Sequence, residues 1–182
     1  MMGSSRRPAA LAATVTALLL LALSPASAAA ACEGATGSFD TAGNRTLVRA
    51  TLCVLNAKRG RHNLRPVRLN SRLSTASRGH SRAMVRQHFF SHDSLDGTSF
   101  LERIRRSGYL DGAAGWAVGE NIAWGSGRLS TPRSIASAWM HSPGHRANML
   151  SRTFRAIGIG IASGTPSGDS GATYTTDFGR RG

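Results

Sequence analysis

The run Ala156-Ile157-Gly158-Ile159-Gly160-Ile161-Ala162 constrains the architecture of this chain more than any other stretch. Isoleucine at every second position is the period of a strand with one face packed, and an amphipathic helix does not space its apolar residues that way. Tyr174, Thr176 and Phe178 resume the alternation after a turn-rich stretch from Gly164 to Gly171. The two strands are therefore expected to pair antiparallel, as a long-looped hairpin. What precedes them reads as helix and loop. Helices first and strands last, on one core, make an α+β pattern and not a doubly wound α/β one. The sequence carries no internal repeat.

The helical part is punctuated by its caps and breakers. From about Asn44 to Ala57, Leu47, Ala50, Val54 and Leu55 share one stripe, with Cys53 beside it. Gly60 can end this helix, and Pro66 forces an extended linker around Leu64 and Val67. Asn70 or Ser71 caps a second helix, in which Leu73, Ala76, His80, Ala83 and Met84 recur at three- and four-residue steps. That spacing puts His80 on or near the buried stripe, and Phe89 and Phe90 are expected to close the helix against the core. Ser99 and Glu102 form a capping box for a third helix, with Phe100, Leu101 and Ile104 on its apolar side and Gly108 as its stop. Residues 111–117 read as loop, Gly119-Glu120-Asn121 has no helix period, and Gly125, Ser126 and Gly127 keep the next part loose. Thr131-Pro132 then opens a helix with Ile135, Ala138 and Trp139 on one face, and Ser142-Pro143 repeats the start signal for a short helix holding His145, Asn148 and Met149.

The first thirty residues need separate treatment. Arg6 and Arg7 precede a run of Ala, Leu, Val and Thr, and small residues follow through Ala31, so residues 1–30 read as a cleaved signal peptide. Cleavage after Ala28 and after Ala30 both fit. General secretion suits the run better than twin-arginine export, because Pro8 follows the arginine pair. No later stretch is long and apolar enough to span a bilayer. Cys32 and Cys53 are the only cysteines, and in an oxidising compartment they can pair. Such a bridge would staple the tail 31–46 to the first helix and contribute about 3 kcal/mol on loop-entropy arithmetic. A lipid-modified Cys32 is the alternative, but the residues before it lack the usual leucine. Neither cysteine has a base placed beside it by sequence.

Signal removal leaves 152 residues, enough for one domain with a real core. The formal charge falls from +14 to +12 with the loss of Arg6 and Arg7. Only Lys58 is a lysine; the remaining cations are arginines, scattered along the helices with no aromatic stacking platform among them. They read as solvated helix faces that attract acidic cell-wall polymers or lipid head groups, and they make a nucleic-acid function the least supported.

Three segments concentrate polar groups beside apolar anchors: FFSHD at 89–93, VGENIA at 118–123 and AWMHSPGHRANML at 138–150. Their polar members are His92, Glu120 and His145, and the only other glutamates are Glu33 and Glu102. Two imidazoles and a carboxylate can bind zinc with a position left for water, or can move protons. Bland readings stand beside this one. A histidine at a helix end can cap carbonyls, and Glu120 can accept from turn amides at 121–123. His80 reads as a satisfied core histidine and His62 as a solvated loop residue; His88 lies two helical turns beyond His80. His141 and His145 are four apart, but Pro143 interrupts a common helix. Trp124 and Trp139 read as packing for the core or a cleft wall.

These motifs, with LCVLNAKRG from Leu52, RLSTASRGHSRAMVRQHFFSHDS, the run through RAIGIGIA and the closing YTTDFG, resemble the CAP superfamily of cysteine-rich secretory proteins, antigen 5 and pathogenesis-related 1 proteins. The likeness is to its short bacterial branch of SCP domains and covers about residues 47–179. It implies a three-layer α-β-α sandwich with a small antiparallel sheet and a central cleft of two histidines and two acidic residues. His92, Glu120 and His145 stand at three of those positions, with Asn121, Trp139 and Ser142 as further cleft residues. The second acidic position falls on Ser142, or on Pro143 by the pattern of many bacterial relatives, and neither is acidic. The resemblance thus implies a secreted or cell-wall-associated monomer that binds an extracellular lipid, wall polymer or protein, with zinc or another divalent metal on His92 and His145. The alternative it leaves open is a metal-assisted hydrolase in which Glu120 serves the metal-bound water.

Overall fold

A computed structural model describes residues 32–182. The expected signal peptide and both expected cleavage positions lie outside the described residues. Helix α1 spans Phe39–Arg61 and is longer than its apolar stripe predicts, with a kink at Gly43, where φ is 68°. Leu47, Ala50, Val54 and Leu55 are buried along it as expected. Cys53 pairs with Cys32 through a disulfide with a Cα–Cα distance of 5.7 Å, which ties the first described residue to the body of α1.

After Pro66 the chain makes a two-residue strand, β1 (Arg68–Leu69), too short to leave a period in the sequence. Asn70 caps α2 (Ser71–Arg86) by accepting a hydrogen bond from the Leu73 amide. Leu73, Ala76, His80 and Met84 are buried, as the stripe requires. The expectation for Phe90 fails: it is 47% exposed, because α2 ends at Arg86 and the chain turns outward; only Phe89 packs back, edge-on against the His80 ring. Helix α3 (Phe100–Arg106) forms half of its predicted capping box. Ser99 Oγ accepts from the Glu102 amide, while the Glu102 side chain turns along the helix to Arg106.

The stretch around Gly119-Glu120-Asn121, which has no helix period, is a strand that also takes in Trp116 and Ala117 from the expected loop. β2 (Trp116–Gly125) runs antiparallel to the last strand along its whole length, Glu120 opposite Asp177. Its alternation is disguised because polar groups occupy buried positions, and Glu120 and Asn121 are both buried. A 3₁₀ turn (Gly127–Ser130) leads to α4 (Pro132–His141), capped by Thr131, and then α5 (Pro143–Met149). On α4 the buried face is Ile135, Ala136 and Trp139; Ala138 is exposed, one step off the expected stripe.

β3 (Ala156–Ser163) and β4 (Ala172–Arg181) form the expected antiparallel pair. The sheet has four strands in the order β1-β3-β4-β2, and it is mixed, since β1 runs parallel to β3. It is covered on both faces, by α2 on one and by α1 with α4 and α5 on the other, which makes the α+β sandwich. The isoleucines of β3 bury into the larger core with Leu47, Trp139 and Phe178. The opposite face of β3 is packed as well, contrary to the single packed face expected. A Cβ at Gly158 would run into the Leu73 backbone, and one at Gly160 into that of Ser77, so the glycines let α2 lie directly on the strand. Among the described residues no helix is long and apolar enough to cross a membrane.

Candidate functional site

Glu120 is the centre of the polar constellation, and its side chain is only 1% exposed. Burying a carboxylate is costly unless both oxygens find strong donors. Both do: Arg103 Nη2 donates to Oε2 at 2.8 Å, and His92 Nδ1 bonds Oε1 at 2.8 Å. Because a carboxylate only accepts, the His92 proton belongs on Nδ1, and Nε2 is the nitrogen left with a lone pair. The anticipated bond from Glu120 to turn amides does not form, since residues 121–123 are strand.

Arg103, expected among the solvated arginines, is instead part of the site. Its side chain is 11% exposed, and besides Glu120 it donates to the carbonyls of His92 at 2.8 Å and Thr98 at 3.0 Å and to Ser94 Oγ at 3.2 Å. One guanidinium thus folds the 91–98 loop onto the carboxylate and sets where His92 stands. The only signal available in sequence was indirect: a glutamate buried by Val118 and Ile122 requires a cation from elsewhere.

His145 is positioned through amides. Among the described residues β2 is an edge strand, with no strand on its outer side. Asn121, pointing away from Glu120, donates from Nδ2 to the His145 carbonyl at 3.0 Å. Asn148 of α5 donates to Asn121 Oδ1 at 2.9 Å and to the Glu120 carbonyl at 3.1 Å. Gly119 makes room for this clamp, because a Cβ there would stand 2.7 Å from Asn148 Oδ1. The Gly-Glu-Asn run and the His-x-x-Asn spacing therefore have one shared cause: α5 is buttoned to β2 by two side-chain amides.

The two imidazoles are electrostatically unlike. The hydrogen bond to Glu120 raises His92 above the ordinary histidine value, with burial opposing. Burial lowers His145, and the nearby His92 adds to the lowering. The pair is close enough to interact, yet only one member has a carboxylate. Behind Glu120, buried His80 bonds the Ser91 carbonyl through Nε2 at 2.8 Å and is pulled down by burial. It braces the loop that carries His92.

The remaining predicted residues do not join the constellation. Trp139 is 1% exposed in the core and donates from Nε1 to the Ile122 carbonyl, so it supports β2 from beneath. Ser142 is half-buried at the α4–α5 junction, with no side-chain capping bond. His141 is exposed and bonds the Ser137 carbonyl on its own helix. His62 and His88 are exposed. Among the described residues no three His, Cys, Asp or Glu side chains are grouped to hold a metal ion. His92 and His145 by themselves would offer two imidazoles, one short of the three protein ligands that a catalytic zinc keeps.

A residue that sequence reasoning missed entirely is Asp177. It stands opposite Glu120 in the register, is 1% exposed, and accepts from Ser77 Oγ at 2.7 Å. Its signal was the alternation itself. With Tyr174, Thr176 and Phe178 on one face of β4, Asp177 had to lie on the other, which the β3 glycines show to be covered by α2.

Comparison with known proteins agrees with this architecture. The sequence profile of the cysteine-rich secretory protein family, CAP, matches residues 52–178. The uncharacterized protein YkwD of Bacillus subtilis (strain 168) is 33% identical over 123 residues, which cover 68% of this chain and 43% of YkwD. The chain spans less than half the length of the curated relatives it matches. Among solved structures, an extracellular protein containing a SCP domain from Bacillus anthracis str. Ames superposes with a TM-score of 0.58 and 27% identity, covering 75% of this chain and 43% of that one. An outer surface protein of Borrelia burgdorferi superposes with a TM-score of 0.59 at 20% identity, over 70% of this chain and 87% of its own, a likeness of fold.

Proposed function

The chain belongs to the cysteine-rich secretory protein (CAP) family, and on that premise we propose that it is an exported, non-catalytic CAP domain that binds an anionic extracellular ligand. The observation that carries this reading is the state of Glu120. A carboxylate 1% exposed, with one oxygen bonded to Arg103 and the other to His92, is withdrawn from solvent and engaged on both oxygens, which leaves it poorly placed to activate water. It works as a structural anchor that presents His92 to solvent, whose side chain is 49% exposed.

Export rests on the basic, apolar and small-residue pattern of residues 1–30, and on the description of the Bacillus anthracis relative as extracellular. The Cys32–Cys53 bridge suits an oxidising compartment. The ligand class follows from charge. An exported chain carrying +12 formally once Arg6 and Arg7 are removed, with most arginines on exposed helix faces, is drawn to acidic wall polymers and anionic lipid surfaces, and that attraction weakens with salt.

Zinc or another divalent ion, implied by the family resemblance, would find its donors in His92 and His145. Two donors fall short of a catalytic zinc site. Calorimetric zinc titration checks this: a tight isotherm that disappears in His92→Ala/His145→Ala would reinstate the metal.

The reading itself is tested by co-sedimentation with purified cell walls and with vesicles of anionic lipid, beside turnover assays on ester, peptide and wall substrates. Salt-dependent retention without turnover is expected. Hydrolysis by the wild type that is lost in Glu120→Gln would overturn the non-catalytic assignment and restore the hydrolase.

A further inference from the structure

The family pattern calls for a second acidic residue near Ser142, where this chain has none. The structure supplies a second carboxyl group from another direction. Asp177 lies directly across the sheet from Glu120, and both side chains are withdrawn from water. Their environments differ sharply. Glu120 accepts from a guanidinium and an imidazole, one on each oxygen. Asp177 accepts only a neutral hydroxyl, Ser77 on Oδ2, and its buried Oδ1 has no hydrogen-bond partner. From the remaining elements packed around it, Arg103 on α3 is the cation within electrostatic reach, and Gly158 on β3 contributes no side chain.

We propose that Asp177 is the second carboxyl group of this site, protonated and donating to Glu120, and that it acts as a positioning residue that keeps Glu120 a fixed double acceptor for Arg103 and His92. Two ionised carboxylates side by side offer only acceptors and repel one another. One proton between them turns the repulsion into a hydrogen bond and gives the orphaned Oδ1 its partner. The proton resides on Asp177, because its only donor is a neutral hydroxyl, whereas Glu120 has the Arg103 guanidinium. Burial first, and the Glu120 charge second, push the Asp177 carboxyl well above the usual carboxylate range, in the same sense. The pair then carries a single negative charge, held by Arg103 on one Glu120 oxygen and by the His92 Nδ1 proton on the other.

This inference concerns the same site but does not depend on ligand binding, and its test uses the free protein. The full chain, labelled with carbon-13 at the aspartate carboxyl carbons, is followed by NMR through neutral pH. The other five aspartates, Asp40, Asp93, Asp96, Asp111 and Asp169, are all exposed and serve as internal references. One aspartate signal is expected at the protonated position at neutral pH while five stand at the ionised position, and Asp177→Asn should remove the odd one. Six ionised signals at neutral pH would overturn the proposal. If Asp177→Asn does not fold, the wild-type spectrum still decides, since one protonated aspartate signal among six is read without the variant. Infrared spectroscopy gives a second reading: a carboxylic-acid C=O stretch at neutral pH is expected, and its absence refutes the shared proton.

Discussion

Replacing Arg103 by leucine tests the central geometry directly. The change leaves a hydrophobic side chain of reasonable fit but removes the cation from a carboxylate that is 1% exposed. Removing one partner of a buried ion pair costs about 3–5 kcal/mol, because the other charge is left uncompensated. We take the low end, about 3 kcal/mol, since the 91–98 loop is largely exposed and can open to admit water. For a domain of this size, 1 kcal/mol moves Tm by roughly 2–4 °C, so the expected fall is roughly 6–12 °C. Arg106→Leu is the matched control. It breaks a bridge to Glu102 whose partners are 64% and 42% exposed, and surface pairs contribute about 0–1 kcal/mol. The double replacement Arg103→Leu/Glu120→Leu should recover more than half of the loss, because an apolar pair no longer strands a charge. Thermal melts by circular dichroism measure all three. If Arg103→Leu melts with Arg106→Leu, the claim that Arg103 compensates a buried Glu120 is wrong.

His92 is raised by its bond to Glu120, so its contribution to stability is fully present below about pH 6.5 and is lost as pH rises through the folded-state value. His145 is lowered by burial and works in the opposite sense, with stability gained as pH rises towards about 6.5; His92→Phe should therefore abolish the alkaline decline in Tm and leave the acidic one, and an unchanged pH profile would contradict this. Gly158→Ala or Gly160→Ala should cost about 1–3 kcal/mol or more in urea titrations, because the new methyl meets helix backbone that cannot yield; a neutral result would mean that α2 does not lie flat on β3. Cys32→Ser/Cys53→Ser should cost about 3 kcal/mol for a bridge spanning 21 positions, without changing the His92 titration by NMR.

What could be read from the sequence was whatever announces itself by local period or cap. The β3–β4 pair, the buried stripe of α1, the Asn70 cap and the two proline-opened helices are all local signals, and each appears in the structure. β2 escaped because its period is written in buried polar residues, which hydropathy counts as exposed. β1 escaped because two residues have no period. Among site residues, His92, Glu120 and His145 stand out as polar groups beside apolar anchors, and a family likeness adds to that. Arg103 and Asp177 do not stand out, since one sits in a field of surface arginines and the other on the face of a strand presumed to meet solvent. Both are partners of Glu120, and the demand for partners is set by burial, a property of the folded chain.

Helix α1 is anchored at two places by bonds of different chemistry. Part-way along it stands the Cys32–Cys53 link; near its end the buried guanidinium of Arg59 grips the carbonyls of Met149 at 2.7 Å and Ser151 at 3.1 Å, at the far end of the short helix that carries His145. A reductant reaches only the first anchor. Loss of oxidising surroundings would then loosen the domain from its leading end while the histidine-bearing turn stays moored, so that thiol exposure and damage to the cleft become separable events.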